Sequence, residues 1–349
     1  MRKVLVIGLF IGFCSYSSSA QELNFSQFFN IKQYYNPIDA GSFEGTDAYL
    51  IYRNQWQGLP NPFTSSQFSA SHGILKNGDP EEHLGGIGIE VHNFTSGPGN
   101  YNVLGASVSP AYNVFFNQSK SSKAVFGLKL GYEQRSIGIN DLTWGNQYNP
   151  NIGFDASLDP NEPNFGENVS AITVGAGAGY YFNHKSNDEI SHWSFHIKAA
   201  GLNLNKPEYN LSGVKTASEI FITSEIGLHY LIHEHYLIGT DILYLKQGDN
   251  ELINPGLNLS YIINKNPSHN FAPTWVKVGA SYRLDNAYMG LIGIGNGLYR
   301  IHFSYDLSSN SLSDASSNYN AYEISLGFRF IKKKHTESIK YNNNHNPRI

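Results

Sequence analysis

The stretch YEISLGFRF, residues 322–330, decides the fold. Tyr322, Ile324, Leu326, Phe328 and Phe330 share one face of an extended chain, and Glu323, Ser325, Gly327 and Arg329 share the other. Successive strand side chains point to opposite sides, so this is a half-buried strand. YRIHFSYDL (299–307) alternates in the same way, with Ile301, Phe303 and Tyr305 opposed by Arg300, His302, Ser304 and Asp306. FGLKLGYE (126–133) and VKVGASYRL (276–284) repeat the pattern, and in all four runs every Lys and Arg falls on the polar face.

A soluble sandwich would alternate too, so the period alone does not choose a solvent. The runs are long, however, where strands of soluble proteins average about five or six residues. Tyr, Trp and Phe recur at the ends of the apolar faces, as in interfacial aromatic girdles. Glycine and small polar residues crowd the opposite face, which suits a wide polar lumen. A cation on the lipid face costs about 2–4 kcal/mol at the bilayer midplane, and these runs avoid it.

Composition agrees. Charged residues make up 15% of the 349, against about 25% in ordinary soluble proteins. Aromatics reach 14%, while mean hydropathy is only −0.33. With no long apolar run after the first twenty residues, a helical membrane bundle is excluded. A barrel is not, because only alternate strand residues meet lipid. The net charge of −4 gives no case for nucleic acid.

The expected fold is therefore all-β: a transmembrane outer-membrane β-barrel of about 14 antiparallel strands with a short N-terminal helical or plug segment. Residues 1–20 read as a signal peptide, with Arg2 and Lys3, an apolar core from Val4 to Phe13, and Ser18-Ser19-Ala20 before the cleavage point. Cys14 follows bulky Phe13, where a lipoprotein signal wants a small residue, and cleavage after Ala20 leaves no cysteine. Residues 21–45 are expected to form a periplasmic or plug segment, 46–331 the barrel, and 332–349 a basic periplasmic tail. That tail carries Lys332, Lys333, Lys334, Lys340 and Arg348 against Glu337. It reads as a solvated end, or alternatively as a docking segment for an acidic partner.

The strands are expected at 46–57, 63–75, 83–94, 101–116, 123–137, 168–182, 192–204, 217–232, 236–247, 254–264, 273–284, 287–294, 298–307 and 320–331. An even count puts both termini on one side, the periplasmic side of bacterial barrels. The long connections 138–167, 205–216 and 308–319 then all face outward. Pro110 removes a ladder donor, so a bulge or break is expected in the fourth strand.

Signals for chemistry are weak. His192 and His196 share a strand face but lack a fitting carboxylate or thiolate in sequence, which makes a poor zinc motif. His233-Glu234-His235 lacks helical spacing and reads as a turn. The loop Asp159–Asn168 offers oxygen ligands for calcium, but its prolines break the regular spacing. GAGAG at 175–179 has no following lysine, so its glycines read as relief of crowding on one face. No serine, histidine and carboxylate form a recognisable hydrolase motif, and no cofactor is expected.

With the barrel in hand, the N-terminal stretch FSQFFNIKQYYNPIDAGS resembles the opening of the PorP/SprF family, outer-membrane barrels of the Bacteroidetes type IX secretion system. The matching positions are Phe25, Ser26, Gln27, Asn36, Pro37, Ala40, Gly41 and Ser42. YRNQWQGLPNPFT follows, through Arg53, Asn54, Gln55, Trp56, Gly58, Pro62 and Thr64. GASYR (279–283), with Tyr282 and Arg283, and SYDLSSNSL from Ser304, with Tyr305 and Asp306, match the closing hairpins in order. The chain departs from the family with Ile38-Asp39 in place of Ala-Tyr, with Ala321-Tyr322 in place of Ser-His, and by continuing beyond Phe330.

The resemblance implies a non-enzymatic barrel that supports export or surface anchoring of a partner protein such as an adhesin, in secretion and gliding motility. It implies contacts with outer-membrane lipid, with secretion-ring or peptidoglycan-binding lipoprotein components, and with a secreted protein bearing a type IX C-terminal domain. The alternative is a passive diffusion porin, since a fourteen-strand lumen approaches channel size.

Phe25, Phe28, Phe29 and Lys32 recur at helical spacing, Tyr35 extends that face, and Asn36-Pro37 ends it. The expectation is a short amphipathic helix or turn on the periplasmic side, packed against the barrel mouth or partly inside. The alternative is that its rings lie among lipid headgroups.

Overall fold

The computed structural model describes residues 24–78, 83–138, 142–159, 161, 168–185, 191–211, 215–232, 235–263, 274–309 and 320–330, with only the backbone of Lys185, Ser191 and His192. The expected signal peptide and basic tail lie outside these residues.

Among the described residues, fourteen strands close into one antiparallel barrel. They are β1 Thr46–Gln55, β2 Phe63–Leu75, β3 His83–Ser96, β4 Tyr101–Phe115, β5 Ser122–Ser136, β6 Val169–Lys185 and β7 Ser191–Leu202. The second half is β8 Phe221–Ile232, β9 Tyr236–Gln247, β10 Asn250–Ile262, β11 Trp275–Arg283, β12 Ala287–Gly295, β13 Tyr299–Ser308 and β14 Ala321–Phe330. Each strand pairs with its neighbours in sequence, and β1 closes the ring on β14 from Thr46↔Phe330 to Gln55↔Ala321. Closure leaves no unpaired edge, the condition for crossing hydrocarbon with strands. No described helix is long and apolar enough to cross a membrane.

Strand parity follows the sequence. Leu326 is 50% exposed on the outer surface, while Glu323 and Ser325 are buried within. Lys129, Lys277, Arg283, Arg300 and Arg329 all belong to the inward rows. At Pro110 the strand does not bulge. β4 stays paired to β3 through Ile87↔Pro110, and the ladder to β5 skips Ser109 and Pro110 before resuming in the same register, from Val108↔Leu130 to Ala111↔Gly127. A missing donor thus interrupts one ladder without adding a residue.

The antiparallel order puts Thr46 and Phe330 at one end, called here the terminal end. Connections 137–168, 203–220 and 309–320 leave from the opposite end, as expected. Connection 263–274 is also long and leaves from the terminal end, so loop length is less one-sided than the sequence suggested.

The lumen is not the wide polar space expected from the small inward residues. Residues 24–45 run through it. Turns over 27–31 lead into α1, Lys32–Tyr35, which is a single turn of helix rather than the longer amphipathic one expected. Asn36 is extended (φ −148°, ψ 121°) and ends α1, because the residue before proline leaves the helical region. Its side chain then caps a 3-10 turn, Pro37–Gly41, by accepting from the Ile38 N–H at 3.2 Å.

Two apolar clusters hold this plug. Phe25, Phe28, Ile31 and Tyr35 pack with Ile51, Ala200, Leu202, Phe221, Leu243 and Leu245. Ile38 and Ala40 pack with Ala111, Val125 and Tyr181. Burying a phenylalanine contributes about 1.5–3 kcal/mol, so these rings offset part of the ordering cost of the segment. At Gly127, a β-carbon would press on the Pro37 and Ile38 backbone, so close approach of the plug depends on glycine there.

The plug corrects one expectation. It does not sit at the terminal mouth alone. From Thr46 it crosses the lumen, and Ser26 reaches Arg53, Arg283 and Asp306, near the far ends of β1, β11 and β13. The barrel's two ends are on one side, but the chain that precedes it begins its described course at the other.

Candidate functional site

Ser26 and Gln27 are held by what amounts to a latch. Glu323 on β14 accepts the Ser26 N–H at Oε1 (2.6 Å) and the Gln27 N–H at Oε2 (2.9 Å). The Ser26 hydroxyl donates to Asp306 on β13 at 2.7 Å and accepts from Arg53 on β1 at 3.0 Å. The Arg53 guanidinium also bridges Asp306 (2.8 Å) and Glu323 (2.5 Å), and Arg283 on β11 lies 3.8 Å from Asp306. Two arginines and two carboxylates balance in charge, and all four are nearly inaccessible to solvent. Buried charges persist only when paired and hydrogen-bonded, and here the plug backbone supplies part of that satisfaction. Gln27 Nε2 extends the latch to Ser304 at 3.1 Å, and Asn30 reaches Ser325 at 2.9 Å.

Two further anchors hold the middle of the plug. The Lys129 ammonium donates to the Gln33 and Tyr34 carbonyls, both at 3.3 Å, and Thr223 donates to the Tyr35 carbonyl at 2.7 Å. These are carbonyls that a one-turn helix leaves without internal partners. Glu90 holds Lys129 at 3.1 Å and His92 at 2.7 Å. Lower down, Asp39 meets Lys198 at 2.7 Å, and Lys198 also meets Glu225 at 2.9 Å. Asp39 therefore ties the plug to β7.

The motif residues separate into groups. Phe25, Ser26, Gln27, Arg53, Arg283 and Asp306 meet at or beside the latch, although they lie at the two extremes of the sequence. Asn36, Pro37, Ala40 and Gly41 form the 3-10 turn in the terminal half of the lumen, where Asn113 donates to the Gly41 carbonyl at 3.1 Å. Gln55 flanks Arg53 at 3.4 Å. Trp56 adopts φ 60° at the β1–β2 turn and packs on Phe63 at 4.5 Å. Asn54, Tyr282 and Tyr305 belong to the outward rows, where Tyr282 stacks on Tyr288 at 4.7 Å.

The weaker signals resolve as follows. GAGAG lies on β6, and Gly177 and Gly179 face Asn36 and Ile38 of the plug, so relief of crowding is their role. His233 and Glu234 lie outside the described residues, and His235 contacts the Ile262 carbonyl at 2.9 Å. Most of Asp159–Asn168 lies outside them too. The side chain of His192 is likewise not described, whereas His196 is buried beside Glu225 at 2.9 Å.

Glu323, Lys129 and Lys198 escaped the sequence reading as plug anchors. Their signal is a charge within an inward row rich in small residues, which alternation exposes. The partner could not be read, because the path of the plug is not periodic.

The family model for "Type IX secretion system membrane protein PorP/SprF" matches residues 17–328. No curated protein matches the chain. Among solved structures it is similar to a TodX monoaromatic hydrocarbon channel deltaS2 mutant, at 11% identity and TM-score 0.49, over 86% of this chain and 94% of that one. A Pseudomonas aeruginosa FadL homologue follows at 10% identity and TM-score 0.47, over 84% and 92%. The KdgM porin matches at 13% identity and TM-score 0.33, over 81% and 99%.

Proposed function

The chain belongs to the PorP/SprF family of type IX secretion system membrane proteins, and from that premise we propose that it acts as a plugged outer-membrane barrel that supports export or surface anchoring of a partner protein. Its family and fold are those of a membrane barrel of secretion machinery rather than of an enzyme class. The observation that carries the reading is the occupied lumen. A diffusion porin works by an open aqueous channel, whereas here residues 24–45 occupy the lumen, hydrogen-bonded to buried Glu323 and Asp306 and ion-paired through Asp39 to Lys198.

In the proposed orientation the terminal end faces the periplasm and connections 137–168, 203–220 and 309–320 face outward. The 332–349 tail then meets periplasmic ring or peptidoglycan-binding lipoprotein components, and the outer connections meet a secreted protein with a type IX C-terminal domain, such as an adhesin. In that orientation Ser26 lies at the outer end of the lumen.

The test is secretion in cells that lack the protein. Secreted and surface levels of proteins bearing type IX C-terminal domains should fall and be restored by the full chain. Unchanged levels of every such protein would remove the secretion role and favour the porin.

A further inference from the structure

We propose that His196, His229 and Asp241 form a binding site for a divalent transition-metal cation, zinc by its donor set, on the inner wall of the barrel. The three residues come from three adjacent strands: His196 from β7, His229 from β8 and Asp241 from β9. Register brings them together. Gly227 lies between His196 and Asp241, which are its two cross-strand partners, and His229 stands opposite Gly239. A β-carbon at Gly227 would meet both the His196 ring and the Asp241 carboxylate, and one at Gly239 would meet the His229 ring. Each imidazole is thus folded over a glycine, and the two rings lie nearly parallel, 5.9 Å apart.

The distances around Asp241 exceed those of a simple hydrogen-bond network. Asp241 Oδ1 stands 3.7 Å from His196 Nε2, and Asp241 Oδ2 stands 3.3 Å from His229 Nε2. Ordinary N–H···O bonds span about 2.7–3.2 Å. Neighbouring ligands around tetrahedral zinc, at bond lengths of about 2.0–2.2 Å, lie roughly 3.3–3.5 Å apart. One ligand atom from each of His196, His229 and Asp241 falls within 4.8 Å of the others. Glu225 Oε1 lies 2.9 Å from His196 Nε2 and positions that ring. Its other oxygen is held by Lys198, which is shared with Asp39. Two imidazoles and one carboxylate make an anionic donor set that suits a dication of borderline softness, with a fourth position left for water.

His229 and Asp241 line a cavity beside the plug, together with Phe29, Asn30 and Asn258. The site is also joined to the plug, since Glu225 connects through Lys198 to Asp39. A bound cation would therefore cross-link three strands at the point where the wall grips the 3-10 turn.

The test uses the full chain purified in detergent, stripped with chelator and dialysed against zinc. About one zinc per chain should remain bound, measured by elemental analysis, and should raise the temperature at which the heat-modifiable band is lost. His229→Ala and Asp241→Asn should each weaken zinc binding more than roughly tenfold, while His72→Ala on the outer surface of β2 should not. Cobalt added to the wild-type chain gives a readout independent of any variant, and visible absorption of the tetrahedral type is expected. Absence of stoichiometric zinc, equal retention by all three variants, or only an octahedral cobalt spectrum would each overturn the proposal.

Discussion

The Ser26 N–H donates to the Glu323 carboxylate across 2.6 Å, joining the first described turn of the chain to its last strand. β14 is also the strand that closes the barrel on β1. Seating the plug and closing the ring therefore involve the same carboxylate. A contact between such distant parts of the chain forms late, after the entropy of a very long loop has been met.

Loosening the latch should free the plug without opening the barrel wall. Glu323→Gln keeps the shape but leaves Arg53 short of one buried counter-charge, and breaking such a pair costs about 3–5 kcal/mol. The variant should remain heat-modifiable, with faster proteolysis at residues 24–36. A cycle with Ser26→Ala, which removes the hydroxyl shared by Arg53 and Asp306 but keeps the N–H bonded to Glu323, should show coupling of about 0.5–3 kcal/mol in barrel stability. Strict additivity would mean that the hydroxyl and the carboxylate are not coupled through Arg53.

Substitution at the plug seat separates lumen from lipid. Gly127→Val presses on the Pro37–Ile38 backbone, whereas a β-carbon at Gly290 meets nothing within 4 Å. Gly127→Val should raise antibiotic permeability, and Gly290→Val should leave it unchanged. Equal permeability in the two would show that the 3-10 turn does not depend on that seat.

Outer-face parity predicts opposite responses at neighbouring positions of β14. Leu326→Arg places a charge in lipid, at a cost of about 2–4 kcal/mol near the midplane, and should reduce the assembled fraction on unheated gels. Arg329→Gln loses a 3.2 Å contact to Asp47, but Arg300 also lies near that carboxylate, at 3.8 Å. Assembly should largely survive. Similar losses at both sites would place the register one residue out.

The wall was legible because it is periodic. Alternation in YEISLGFRF assigned Leu326 to lipid and Glu323 to the lumen, and turn residues between such runs located thirteen connections. β10 begins at Asn250 rather than at 254, and Pro255 sits within the strand, opposite Ile242. The plug was legible only in part. Aromatic spacing marked Phe25, Phe28 and Tyr35 as one buried face, and Asn36-Pro37 marked the stop. Its single-turn helix and its passage to the far end were not legible, because both depend on side chains such as Lys129, Thr223 and Glu323 that stand far off in sequence. The latch shows the same division: the motif resemblance picked out Ser26, Arg53 and Asp306, but only the closed ring brings them to one point.

Single-channel conductance in a planar bilayer, comparing the full chain with a deletion of residues 24–36 that keeps the signal peptide, tests the central claim most directly. The full chain should be silent or rarely open, because the segment held by Arg53, Asp306 and Glu323 fills the lumen. The deletion should insert as a heat-modifiable barrel and conduct persistently. A steady open pore of equal conductance in both proteins would contradict the plugged-barrel account.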